Sequence, residues 1–474
     1  MEQQLEADYV IVGSGAVGMA FADVILTESD ATIIMVDRYA KPGGHWNVAY
    51  PFVQLHQPSQ FYGVSSLELS GGRLEQGGLN DGLNELAGGA EVSAYFDDVM
   101  RHQFLPSGRL QYFPMCDYQG EGRFVSKASG QIYHATARSK LVDATFLKTK
   151  VPSTHTPNFS IEEGVSFIPL NDLPRVQEAP DKYVIVGGGK TGIDAALWLL
   201  QMGVDPDSIQ WVRPRDGWLL NRRNTQPTDA FFEDVFSAQV TLMEGAAKAE
   251  SFEDLYVRLE QGGYFVRIDE SIQPEMFHGA TISTAELEIL RRIKDVVRLG
   301  RITHLGTEEI RFQQGVLKAQ PNTLYIDCSA RPVDSLDTKP IFEGSLITPQ
   351  MVRSYQPAFS AALIAHVELS YNGDEEKNKL TAVVPPPEST TDFAFFTAVS
   401  FTNQYLWSQD AELSQWIRGN RLDGFSKMAE KGAASAPQKA ALLTRMRESG
   451  PAAVMNLYKL HNDYQAATAA SGEV

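Results

Sequence analysis

Cysteine is scarce in this sequence: Cys116 and Cys328 are the only two among 474 residues. Two residues so far apart build no disulfide framework, which points to a reducing compartment. They form no CxxC or similarly close pair, so a redox dithiol of neighbouring cysteines is excluded. Long apolar runs are also missing, none approaching the roughly 18 residues that cross a bilayer. The opening "MEQQLEA" is polar and acidic and runs straight into an apolar strand, unlike a signal peptide. These absences predict a cytoplasmic protein with no membrane partner. Positive charge is in deficit, with 41 Lys and Arg against 59 Asp and Glu, a net charge of −18. Nucleic acid and anionic membranes would not be attracted to such a surface. The sequence shows no HExxH and no close Cys/His cluster, so no metal site is expected, and no Ser-His-Asp set stands out.

What remains is an ordinary globular composition, 43% apolar and 21% charged, long enough for two or three domains. The apolar run "DYVIV" (8–12) ends at Gly13 as a buried parallel strand would. Val17, Ala20, Phe21, Val24 and Ile25 then recur at helical spacing, and "TIIMV" (32–36) ends in Asp37. The pattern returns with "KYVIV", a helix face of Ile193, Ala196, Leu197 and Leu200, and "SIQWV" (208–212). Two βαβ units on one chain predict two Rossmann-like domains by internal duplication.

Each unit carries a glycine turn. Gly13, Gly15 and Gly18 stand as GxGxxG between strand and helix, with Asp37 19 residues beyond at the strand end. The first glycine permits the turn, the second a close approach of the backbone to a pyrophosphate, and the third close packing of helix on strand. A carboxylate at Asp37 suits ribose hydroxyls. "VIVGGGKTG" (184–192) admits a second reading, since Lys190-Thr191 after glycines resembles an ATPase phosphate loop. That loop requires glycine where Val184 stands, whereas Gly187, Gly189 and Gly192 complete the dinucleotide pattern. The second strand end bears Arg213, Arg215, Arg222 and Arg223 and no acid, which suits the 2′-phosphate of NADP, with Arg213 foremost. A solvated basic loop is the plain alternative.

With these turns, "GGHWNVAYPFVQLHQPSQFYG" (43–63), "KLVDATFLKTKVP" (140–152) and "IQWVRPRDGW" (209–218), the chain resembles the class B flavin monooxygenases over about its first 220 residues. The resemblance implies an α/β fold of two Rossmann-like dinucleotide-binding domains, for FAD and NADPH, with a helical insertion and a helical C-terminal region. It implies an FAD part over 1–175, an NADPH domain over 176–332 with an insertion at about 229–298, and a part over 333–474 completing the FAD domain. FAD then falls to Gly13, Gly15, Ala16, Gly18, Asp37, Arg38, Gly44, Trp46, Ala144 and Thr145. NADPH falls to Gly187, Gly189, Lys190, Thr191, Gly192, Arg213 and Arg215. His56 and Gln57 become candidates beside the flavin ring, with His45 and Asn47 near it.

The implied activity is NADPH-dependent oxygenation of a small organic substrate by O2 through a flavin C4a-(hydro)peroxide. Two departures keep other readings open. Phe146 stands where the family has glycine after Ala-Thr, and the linker "NFSIEEGVSFIPLNDLP" (158–174) lacks the Baeyer–Villiger fingerprint and any histidine. A flavin reductase or oxidase without oxygen insertion, or a non-catalytic FAD/NADP sensor, also fits. Residues 229–298 read as mostly helical, a lid or subunit contact or a structural insertion; a homodimer would use them or the C-terminal helices. A β-meander is expected at about 301–327. The aromatic stretch 392–407 reads as core packing or as the lining of an apolar pocket.

Overall fold

The computed structural model describes residues 2–330 and 337–471. Its first sheet is built on β1 (Gln3–Val12), β2 (Ile33–Val36), β3 (Leu110–Phe113) and β4 (Ile132–Asp143). These run parallel in the order β3-β2-β1-β4, with Val12 beside Val36 on one flank and Asp143 on the other. All four residues of β2 are buried, so both faces are covered and the sequence is continuously apolar rather than alternating. Helix α1 (Ala16–Glu28) covers one face, buried from Gly18 to Leu26. It is enclosed because Pro357–Ser370, a helix buried on most sides, packs across it from the C-terminal part. That part also adds Leu346–Ile347, parallel to β4.

The second sheet repeats the plan. β5 (Lys182–Val186), β6 (Ile209–Val212), β7 (Asp295–Val297) and β8 (Thr323–Asp327) run parallel in the order β7-β6-β5-β8, with Phe167–Pro169 outside β8. Val186 pairs with Val212 and Asp327, as Val12 does with Val36 and Asp143. Helix α2 (Lys190–Gln201) packs on this sheet. The expected domain limit at 332/333 lies outside the described residues, as do Arg331 and Pro332.

Two expectations need correction. Residues 229–298 are helical at Thr284–Leu290 near their end and, in their first half, as α3 (Phe232–Lys248) and α4 (Phe252–Gln261). Beyond α4, Met276–Ile282 is a strand, parallel to Gly217–Asn221, because its buried apolar run pairs in a small sheet of its own. The meander comprises Ile302–Leu305, Glu309–Phe312 and Gly315–Lys318, while β8 leaves it for the second sheet. The stretch 392–407 lies in a helix, Asp392–Gln409, whose Phe393 and Phe396 pack with Trp218, Tyr256, Phe265 and Phe277. Core packing accounts for Phe393, Phe396 and Trp407, whereas Tyr405 is exposed.

Candidate functional site

Both turns have the geometry their spacing requires. Gly13 and Gly187 take φ of +99° and +137°, a region that side chains rarely enter. A Cβ on Gly18 would stand 1.9 Å from the Gly13 carbonyl oxygen, and one on Gly192 would stand 2.1 Å from that of Gly187. Only glycine lets each helix sit this close to its strand. Gly15 and Gly189 are the N-caps of α1 and α2; neither helix has a side-chain cap or an acid in its first turn. Backbone N–H groups therefore face outward at two helix N-termini, the arrangement that binds phosphate.

The duplication extends to the fourth strands. Asp143 accepts hydrogen bonds from the Thr145 amide (3.0 Å) and hydroxyl (2.7 Å). Asp327 accepts the same pair from Ser329, at 2.9 and 2.6 Å. Ala144 donates its amide to Val12, and Cys328 donates to Val186. Each Asp-x-Ser/Thr turn abuts the first glycine of its own unit: a Cβ on Gly13 would meet the Thr145 methyl at 2.8 Å, and one on Gly187 the Cys328 oxygen at 2.3 Å.

Around the first turn, Gly44 faces Gly15 closely enough that its Cβ would stand 3.0 Å from the Gly15 Cα. Asn47 braces this loop by donating to the carbonyls of Gly44 (3.0 Å) and Lys41 (3.1 Å). Trp46 donates to the Tyr62 hydroxyl at 2.7 Å and lies against His45. Burial lowers the His45 pKa to about 4. Asp37, 6% exposed, turns inward: its carboxylate takes the Ser14 amide (2.5 Å), the Ser14 hydroxyl (2.9 Å) and the Tyr39 amide (2.8 Å). Arg38 beside it is exposed, and Ala16 opens α1.

Around the second turn the arginines do not form a free positive cluster. Arg213 is 2% exposed and paired with Asp216. Arg215 pairs with Glu388 (3.2 Å), Arg222 with Glu286 (2.7 Å) and Arg223 with Asp234 (2.9 Å). Residues close in sequence diverge because Gly217–Asn221 is a strand that carries Arg222 and Arg223 away. Lys190 is likewise paired, with Asp194 on its own helix, while Thr191 is half-buried in the first turn of α2.

His56 and Gln57 sit at the seam between the two units. The His56 carbonyl accepts the Thr281 hydroxyl at 2.5 Å, and Gln57 donates to the Tyr355 carbonyl at 2.7 Å. Burial holds the His56 imidazole well below its usual range, helped by the charges of Lys190 and Arg222, so the ring is neutral near pH 7. Tyr50, from the first unit, donates to Asp194 of α2 at 2.6 Å. Arg222 donates to Asn80, and Ser283 to the Leu79 carbonyl at 2.7 Å. Tyr50, Asn80, Asp194 and Glu286 carry no motif and were not among the residues singled out from the sequence. Asp216 was open to reading, since "RPRD" places an acid three residues after Arg213.

Two surface cavities lie elsewhere. One of about 150 Å³ is lined by Lys182, Gln210 and Leu317, and one of about 240 Å³ by Gln54, Arg73 and Glu85. Neither includes a residue of the glycine turns. Among the described residues no group of three or more His, Cys, Asp or Glu could hold a metal ion, and no helix is long and apolar enough to cross a membrane.

Duplicated sheets, turns and uncapped helices define a protein with two dinucleotide-type units on one chain. No family model matches the sequence. Two curated relatives, the uncharacterized protein Rv2000 of Mycobacterium tuberculosis and the uncharacterized protein Mb2023 of Mycobacterium bovis, are each 43% identical over 419 residues. The match covers 88% of this chain and 78% of each relative. The chain belongs to the family of these mycobacterial proteins. Among solved structures it is similar to a cyclohexanone monooxygenase bound to cyclohexanone, at 11% identity and a TM-score of 0.47, covering 91% of this chain and 98% of that one. A flavin monooxygenase mutant from Stenotrophomonas maltophilia gives 14% and 0.45, over 78% of this chain and 100% of that one. The bacillithiol disulfide reductase of Staphylococcus aureus gives 11% and 0.41, over 78% and 99%.

Proposed function

We propose that this chain is an FAD-dependent oxidoreductase that draws electrons from a reduced nicotinamide dinucleotide and uses O2 to oxygenate a small organic substrate. The observation that carries the reading is the pair of matched turns, each an uncapped helix N-terminus at the carboxyl end of a parallel sheet. Bound there, FAD and the dinucleotide supply hydride and oxygen chemistry; the protein supplies orientation and dryness.

The residues fit both groups. Open space above Gly189, where a Cβ would meet nothing within 4 Å, suits a pyrophosphate on α2. Gly15 and Gly44 keep side chains out of the corresponding space on α1. Asn47 holds the Gly43-Gly44 loop in place. Neutral His56 brings no charge to the seam, and Tyr50 on Asp194 ties α2 to the first unit, fixing the angle between the two sites. The domain limits, the residue assignments and a homodimer remain part of this proposal.

Anaerobic mixing of the FAD-loaded protein with NADPH or NADH tests it, followed by ¹⁸O2 with a panel of ketones and sulfides. Bleaching of the flavin and ¹⁸O in a product are expected. Bleaching with hydrogen peroxide as the sole product would replace the reading with an oxidase or reductase. A flavin that neither dinucleotide bleaches would replace it with a sensor.

A further inference from the structure

The end of the second strand of the second unit is where such a fold meets the adenosine ribose, and an acid or an arginine there decides between 2′-hydroxyl and 2′-phosphate. Arg213 occupies that place directly after β6, its amide bonded to the Val297 carbonyl of β7 at 2.9 Å. Its Cβ lies against the glycine turn, 3.5 Å from where a Gly188 Cβ would stand. The following residues fold back over the same turn, the Arg215 carbonyl standing 3.0 Å from that point.

This fold-back delivers Asp216 into the guanidinium's reach. Its carboxylate binds Arg213 through Oδ1, and Arg298, just past β7, through Oδ2 (2.8 Å) and Oδ1 (3.3 Å). Two guanidinium groups around one oxyanion are the donor set that holds a phosphate. Asp269 takes Arg298 from its other side at 2.9 Å, and Glu388 takes Arg215. Arg213, Arg215 and Arg298 thus face Asp216, Asp269 and Glu388, three cations to three carboxylates, with no excess positive charge. Burial lowers the Arg213 pKa and the Asp216 charge opposes that shift, so removing the carboxylate would leave a buried cation in need of an anion.

We infer that Asp216 sets how the second site treats the ribose 2′-position. The carboxylate acts as an internal stand-in for the phosphate, so the site accepts NADH and NADPH alike, the phosphate entering by displacing Asp216 from Arg298. The inference rests on the second turn being a dinucleotide site and names its preference.

Isothermal titration of the FAD-loaded full-length protein with 5′-AMP and with 2′,5′-ADP tests it without turnover. In the unaltered protein the two affinities should agree within about tenfold. Asp216→Asn should shift the ratio toward 2′,5′-ADP by about tenfold, with 5′-AMP unchanged. A shift below about fivefold overturns the inference while the dinucleotide reading stands. Should Asp216→Asn fail to fold, Arg298→Gln decides: weakening of 2′,5′-ADP by about fivefold or more with 5′-AMP unchanged supports it, and equal binding overturns it. Binding of neither nucleotide to the unaltered protein overturns the dinucleotide reading of the second turn, and this inference with it.

Discussion

The two units of this chain share their turns and differ at their second strand ends. Gly18 and Gly192 face the carbonyl of their own first glycine at nearly the same separation, and Asp143 and Asp327 make the same two hydrogen bonds two residues on. At the strand ends, Asp37 bonds back into its own glycine turn through Ser14, whereas Arg213 is held by an acid from the next loop. What repeats is backbone geometry, which tolerates no side chain; what diverges is side-chain chemistry, where a ligand would be told apart.

The shared part can be broken with the largest effect. Gly18→Ala and Gly192→Ala each force a methyl against a carbonyl oxygen, and each should cost on the order of 3 kcal/mol in thermal or denaturant unfolding. Gly18→Ala should also lose FAD, whereas Gly192→Ala should keep it and lose the response to reduced dinucleotide; loss of FAD in both would end the assignment of one cofactor to each turn.

The first unit should also be the pH-sensitive one. His45 has its folded pKa lowered to about 4 from 6.5. The unfolded chain therefore binds the extra proton between these values, and stability falls as pH drops from 6.5 toward 4. The loss from His45 should be roughly 1–3 kcal/mol, and His45→Asn should make the profile shallower, with the buried neutral His56 keeping part of the slope. An unchanged profile in that variant would show that His45 is not the source.

Gly189→Ala sharpens the contrast with Gly192. Its methyl meets nothing within 4 Å, so the melting temperature should hold while dinucleotide affinity drops by about tenfold. A fall in both would mean that the site above α2 is structural. Tyr50→Phe should be the mildest change. It removes the 2.6 Å bond to Asp194 and should cost about 1 kcal/mol in stability while slowing flavin reduction, with FAD content unchanged. Unaltered reduction kinetics would show that the seam does not set the angle between the sites.

Strands, turns and helix starts were legible because each is a local pattern. "VIVGSGAVG" and "VIVGGGKTG" announce a buried strand, a positive-φ glycine and a helix packed tightly on both. The order of strands was not legible: β3 and β7, the third members of the two sheets, lie far downstream of β2 and β6, behind stretches with no shared pattern. The helical reading of 229–298 failed at Met276–Ile282, between the helices ending at Gln261 and starting at Thr284, because a short buried apolar run fills a strand as readily as a helix. At the seam, Tyr50 and Asp194 stand in separate segments with no motif to join them, so their contact exists only once the two units dock.

The sequence by itself therefore determined the two glycine turns and the sheets beneath them, since close backbone packing leaves no residue but glycine at those points. Only the tertiary structure decided which charges stay free. Each arginine read from the sequence as a phosphate ligand found a carboxylate partner in space, because charged groups brought toward a folded interior must be neutralised there.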